Sequence, residues 1–62
     1  MSVEVLLTVA RRLGIVITRA PADSQVFECW AHRVELAQVY ARRGDRKRLA
    51  RAVDEANRYA VA

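Results

Sequence analysis

The feature that most constrains this fold is an unbroken run from Asp23 to Arg43 that contains no glycine or proline. A proline lies just before the run and Gly44 follows it. The sequence therefore predicts a long helix with Asp23 or Ser24 as its N-cap and Gly44 as a left-handed C-cap. Asp45 is then a suitable N-cap for another helix. Because only Gly44 and Asp45 separate the two segments, we predict an antiparallel αα-hairpin.

The residues after Asp45 form an amphipathic pattern. The apolar residues recur at steps of three and four, while charged residues fall on the opposite side. The apolar set is Leu49, Ala52, Val53, Ala56 and Ala60, and the charged set is Lys47, Arg51, Asp54 and Arg58. This pattern predicts a helix that packs against the long helix along one face.

The first 20 residues allow two interpretations. Ser2 can cap a helix that ends at Gly14, but the β-branched residues also favour two strands, Val3 to Val9 and Ile15 to Arg19, paired as a hairpin. We expect the helix, with an extended segment after it. The predicted fold is thus a single all-α domain, residues 1–62, with three helices; the alternative is a β-hairpin followed by two helices.

A chain of 62 residues with one cysteine has little to stabilise it. A domain of this size buries only about 60% of the surface of its unfolded chain, and no intrachain disulfide can form. The apolar arc of the long helix is also wider than one neighbouring helix covers, so both other segments, or a second copy, must cover it. We expect a homo-oligomer, with association through Phe27, Trp30, Val34 and Tyr40.

The sequence offers little for catalysis. Cys29 and His32 lie three residues apart on the long helix, but no glycine-rich turn nearby supplies an oxyanion hole. We expect Cys29 in the core, His32 on the surface, and Asp54 and Glu55 on an exposed helix face. There are no phosphate-loop glycines and no metal-ligand spacing. We therefore predict a protein that is not an enzyme, with no cofactor and no small-molecule substrate.

The most distinctive local feature is a basic cluster around the predicted turn. Against a single acid, Asp45, its charge is +5 in ten residues, so the rest of the chain sums to −1. The cluster consists of Arg42, Arg43, Arg46, Lys47, Arg48 and Arg51. Bases in the first turn of a helix oppose its dipole, which indicates contact with an anion, either nucleic-acid phosphate or an acidic protein patch.

Arg33 is a second unusual residue, because it lies within the apolar arc and has no carboxylate three or four residues away. If the arc were buried, Arg33 would need a distant partner such as Glu4 or an acid of a second subunit. We expect instead that the arc is partly exposed, so that the Arg33 head group reaches water.

Two fragments resemble known motifs. One is carried by Leu36, Ala37, Tyr40, Gly44, Asp45, Val53 and Ala56. It resembles the centre of a tetratricopeptide repeat, although Leu49 stands where that repeat has alanine, and it implies a packed helical hairpin. The other, Leu6 to Ile15, is similar to the first helix and turn of helix-turn-helix and excisionase-like DNA-binding domains, which implies a recognition helix starting about three residues after Gly14. Neither covers enough of the chain to assign a family.

Together these observations predict a non-enzymatic helical binding or regulatory module that self-associates and contacts an acidic partner. The alternative is a DNA- or RNA-binding regulator that uses residues 42–51. No apolar run is long enough to span a membrane and no secretory signal is evident, so we expect a cytoplasmic protein without membrane contact.

Overall fold

The structure is a computed structural model and describes residues 3–17 and 19–61. It contains three helices, α1 (Val3–Arg12), α2 (Ser24–Arg43) and α3 (Arg46–Val61), and the described residues include no strand. The all-α prediction is confirmed and the β-hairpin alternative is wrong. Burial of Leu6 and Ala10, four residues apart on one face of α1, outweighs the β preference of its valines. Ser2, the predicted cap of α1, lies outside the described residues.

The predicted antiparallel hairpin of α2 and α3 is confirmed, and its turn is closed by backbone hydrogen bonds. Gly44 has φ 72° in the left-handed region. The Gly44 N–H donates to Ala41 O at 3.2 Å and the Asp45 N–H donates to Tyr40 O at 3.0 Å, which is the Schellman arrangement. The Arg48 N–H donates to Asp45 Oδ1 at 3.2 Å. Asp45 therefore completes the end of α2 and caps the start of α3.

α1 ends in the same way. Gly14 has φ 75°, and the Ile15 N–H donates to Ala10 O at 2.9 Å. Here the residue after the glycine is apolar, and Ile15 is buried with Ala10 in the core. The cap thus redirects the chain and places an additional aliphatic side chain beneath α2 and α3.

The core is centred on α2, and both other helices pack against it. Trp30 and Val34 are 0% exposed. α3 contributes a stripe of small side chains, Ala52, Ala56 and Ala60. α1 and the residues after it add Leu6, Ala10 and Ile15. The centre of the wide apolar arc of α2 is thus covered from within the chain.

The segment between α1 and α2 is attached to α3 by side-chain hydrogen bonds. Asn57 Nδ2 donates to Val16 O at 3.1 Å, and Arg19 Nε donates to Ala60 O at 3.1 Å near the end of α3. Asp23 caps α2 as predicted, with Oδ1 accepting from the Gln25 N–H at 2.8 Å. Within the described residues, no helix has the length and apolar character needed to cross a bilayer.

Candidate anion-binding surface

The hairpin turn brings the six predicted basic residues together at one end of the molecule, here called the basic end. Two lie in the last turn of α2 and four in the first two turns of α3. All six are exposed: Arg42, Arg43, Arg46, Lys47, Arg48 and Arg51. The two-residue connection leaves no room for these groups to separate along the chain. A compact positive surface is the result.

The charges at the start of α3 are opposed by their own helix. Its first turn contains basic residues and no acidic one, so positive side chains lie beside the positive end of the helix dipole. The nearest compensation is Asp45. Its carboxylate accepts one backbone N–H and lies 3.5 Å from Arg48 Nη1, a long separation for an ion pair. The other five basic residues make no ion pair with any described residue, so the surface keeps most of its positive charge.

Arg33 is partly exposed, as predicted, and it also forms an ion pair. Its Nε lies 2.9 Å from Glu55 Oε2, across the interface of α2 and α3. The Arg33 side chain is 38% exposed, which agrees with a partly exposed arc, but its partner is Glu55 and not Glu4. Glu55, expected on an open face, is only 33% exposed. Asp54 is exposed as predicted and pairs with Arg58 at 2.8 Å.

The length of the turn indicates which residues of α2 and α3 lie near each other. In a hairpin with a two-residue turn, residues at similar distances from the turn lie at the same level of the two helices. Arg33 lies eleven residues before Gly44 and Glu55 lies ten after Asp45. The turn length therefore places Glu55 at nearly the level of Arg33, whereas the rule of three and four residues applies within one helix only.

Beside this ion pair, α2 and α3 enclose an open cleft of about 250 Å³. Arg33, Arg48 and Arg51 line it, with Tyr40 on the α2 side. Leu36 and Ala52 contribute apolar surface, and Glu55 is its one acidic residue. The cleft therefore joins two residues of the basic end to Arg33 and Tyr40 of α2.

The predicted association residues are mostly inside the chain. Trp30 and Val34 are 0% exposed in the single chain, where they form the centre of its core. Phe27 and Tyr40 are half-buried. The Phe27 ring packs on Trp30, with centroids 5.4 Å apart and planes inclined by 45°. Self-association stays a prediction, but α2 does not present these four residues as one surface.

The thiol and the imidazole are both on the surface of α2. Cys29 is exposed, so the expectation that it is a core residue is wrong. The apolar arc is centred on Trp30 and Val34, and Cys29 falls beyond its edge. His32 is exposed as predicted. The described residues contain no group of three or more His, Cys, Asp or Glu side chains arranged to hold a metal ion.

No protein-family model, curated protein or solved structure matches this chain. The two fragment resemblances can be compared with the fold directly. The hairpin implied by the repeat-like fragment is present as α2 and α3. The recognition helix implied by the other fragment is absent, because the described residues from Ile15 to Asp23 are not helical. α1 therefore corresponds to the first helix of that motif, but the described residues just after Gly14 do not form its second helix.

Proposed function

We propose that this protein is a non-catalytic binding module whose basic end contacts an acidic surface on a partner protein. The observation that carries this proposal is the exposure of all six basic side chains around one turn, opposed by a single weakly paired carboxylate. Bringing these charges together costs free energy in the isolated chain. A partner carboxylate or phosphate placed there recovers that free energy.

The shape of the surface supports an acidic protein over a nucleic-acid duplex. The part of α3 that carries it runs from Arg46 to Arg51, about 7.5 Å of helix axis. A duplex is a continuous polyanion, and extending it along α2 from the basic end would place phosphates towards exposed Glu28 and Glu35. A local acidic patch on a protein would contact the basic end without approaching these two glutamates.

The proposal is tested with two triple variants that carry the same charge change. The first is Arg46→Gln, Lys47→Gln and Arg48→Gln at the basic end. The matched control is Arg11→Gln, Arg12→Gln and Arg58→Gln, all exposed and outside residues 42–51. Binding of a labelled oligoglutamate peptide and of a mixed-sequence DNA duplex is followed by fluorescence anisotropy between about 50 and 200 mM salt.

We expect the first variant to lose about tenfold or more in affinity for the peptide at low salt and the control to lose much less. Equal losses in both variants would show that overall charge, and not the basic end, determines binding. Tighter binding of the duplex than of the peptide would replace this proposal by the nucleic-acid alternative. Failure of the wild-type chain to bind either probe would refute both.

A further inference from the structure

The cleft beside the Arg33–Glu55 pair has a net positive charge that can be compared with the charges of possible anionic ligands. It contains three guanidinium groups, from Arg33, Arg48 and Arg51, and the single carboxylate of Glu55, so its formal charge is +2. A phosphomonoester carries about −1.5 to −2 at pH 7, whereas a carboxylate carries −1. A phosphodiester of a nucleic-acid backbone also carries one charge. Charge matching therefore favours a phosphomonoester.

The donors that line the cleft are available to a ligand. Arg51 makes no ion pair with any described residue, and Arg48 is held only by the 3.5 Å contact to Asp45, with its side chain 68% exposed. The Tyr40 hydroxyl makes no hydrogen bond within the described part of the chain, although the residue is half-buried at the cleft wall. Guanidinium forks and a hydroxyl are the donors that bind phosphate oxygens in directed geometry.

Glu55 holds one of these donors in place. Its contact to Arg33 is made through Nε, on the stem side of the guanidinium. The pair spans the two helices, so it orients the Arg33 head group towards α3, which also carries Arg51. A donor positioned before binding loses less side-chain entropy when the ligand arrives. Glu55 is therefore a positioning residue as well as the carboxylate that lowers the charge of the cleft.

The cleft is larger than the space that one ordered water needs. A single ordered water needs about 10–15 Å³, and the cleft provides about 250 Å³. Leu36 and Ala52 supply apolar surface next to the donors. This arrangement suits a phosphate group together with the carbon atoms that carry it.

We propose that this cleft binds a phosphomonoester group on a phosphorylated side chain of the partner protein. This inference rests on the proposed function, because it shares Arg48 and Arg51 with the basic end. It adds a specific ligand class, and it assigns roles to Arg33 and Tyr40, which lie outside the basic end.

The test uses a blocked tripeptide that contains phosphoserine, with its serine and glutamate forms as controls. Binding to the full chain is followed by NMR, using the Nε–H signals of the arginines and the ring signals of Tyr40. We expect the phosphoserine form to shift the signals of Arg33 and Arg51 and to bind at least tenfold more tightly than the glutamate form. Arg51→Gln should weaken this binding about tenfold and Tyr40→Phe several-fold.

Arg11→Gln is the matched control, because Arg11 is exposed on α1 and belongs to neither the basic end nor the cleft. It should change phosphoserine affinity less than twofold. Lys47→Gln separates the basic end from the cleft: if it costs as much as Arg51→Gln, the cleft is not a site, while the proposed function stands on oligoglutamate binding. If phosphoserine and glutamate forms bind equally, the phosphomonoester assignment is wrong. A nucleoside monophosphate that binds more tightly than the phosphopeptide would overturn the protein source of the phosphate.

Discussion

Replacing Trp30 tests whether this residue belongs to the core of a single chain. Truncation of a buried tryptophan to alanine costs about 3–5 kcal/mol, and the core of a domain under about 70 residues seldom supplies more than 3–5 kcal/mol. Trp30 is 0% exposed, so Trp30→Ala should leave the chain largely unfolded. The expected loss equals the whole stability of the fold.

Trp30→Phe should behave very differently, because the buried indole Nε1 has no hydrogen-bond partner among the described residues. Phenylalanine loses roughly two buried ring carbons, about 1.6 kcal/mol at 0.8 kcal/mol per carbon. It also removes an unsatisfied N–H, which relieves about 1–3 kcal/mol. We therefore expect Trp30→Phe to lie between about 0.6 kcal/mol less stable and about 1.4 kcal/mol more stable than the wild-type chain.

Urea unfolding followed by far-UV circular dichroism measures both changes without relying on tryptophan fluorescence. With an m-value of about 1 kcal/mol/M, a loss of 3 kcal/mol lowers the midpoint by about 3 M. Val16→Ala, at a position that is 74% exposed, is the control and should change stability by less than about 0.5 kcal/mol. A folded Trp30→Ala variant would refute the core placement. A wild-type midpoint that rises with protein concentration would show that a second copy stabilises the fold.

Three further predictions concern other described residues. Cys29 should react with a thiol reagent in the folded protein nearly as fast as in urea, and protection from the reagent would contradict its exposure. Gly44→Ala should lower the free energy of unfolding in urea by about 1–2 kcal/mol, because alanine disfavours a φ of 72°. An added Cβ meets no atom within 4 Å, so no steric clash adds to this cost. A cost near zero would show that the turn relaxes. Gln38 is buried and its Nε2 donates to Leu6 O at 3.3 Å, so Gln38→Met should cost about 1 kcal/mol and accelerate amide exchange in α1 more than in α3. Equal acceleration in both helices would show that this hydrogen bond does not hold α1 in place.

The hairpin could be predicted because its signals are local. Asp23, Gly44 and Asp45 set the helix ends through backbone geometry and capping, and these depend only on neighbouring residues. The choice between helix and strand for Val3–Arg12 stayed open in the sequence. It depends on burial of Leu6 and Ala10 under α2, a contact between segments far apart in the chain.

The candidate site also combines features that depend on neighbouring residues with features that depend on contacts between distant segments. The basic end follows directly from the turn, because consecutive residues carry it. The Arg33–Glu55 pair joins residues 22 apart and depends on how α2 and α3 face each other. The burial of Trp30 and exposure of Cys29 depend on the exact centre of a wide apolar arc, and one residue changes the direction of a side chain by about 100°.

The double role of Asp45 has a consequence for how the length of this chain can change. One residue inserted between Gly44 and Asp45 would move Asp45 away from the Tyr40 carbonyl, so that a single residue could no longer close α2 and cap α3. We therefore expect insertions and deletions in this turn to cost more stability than those in the irregular segment between α1 and α2. In an alignment of related chains, gaps should fall in that segment and spare the turn.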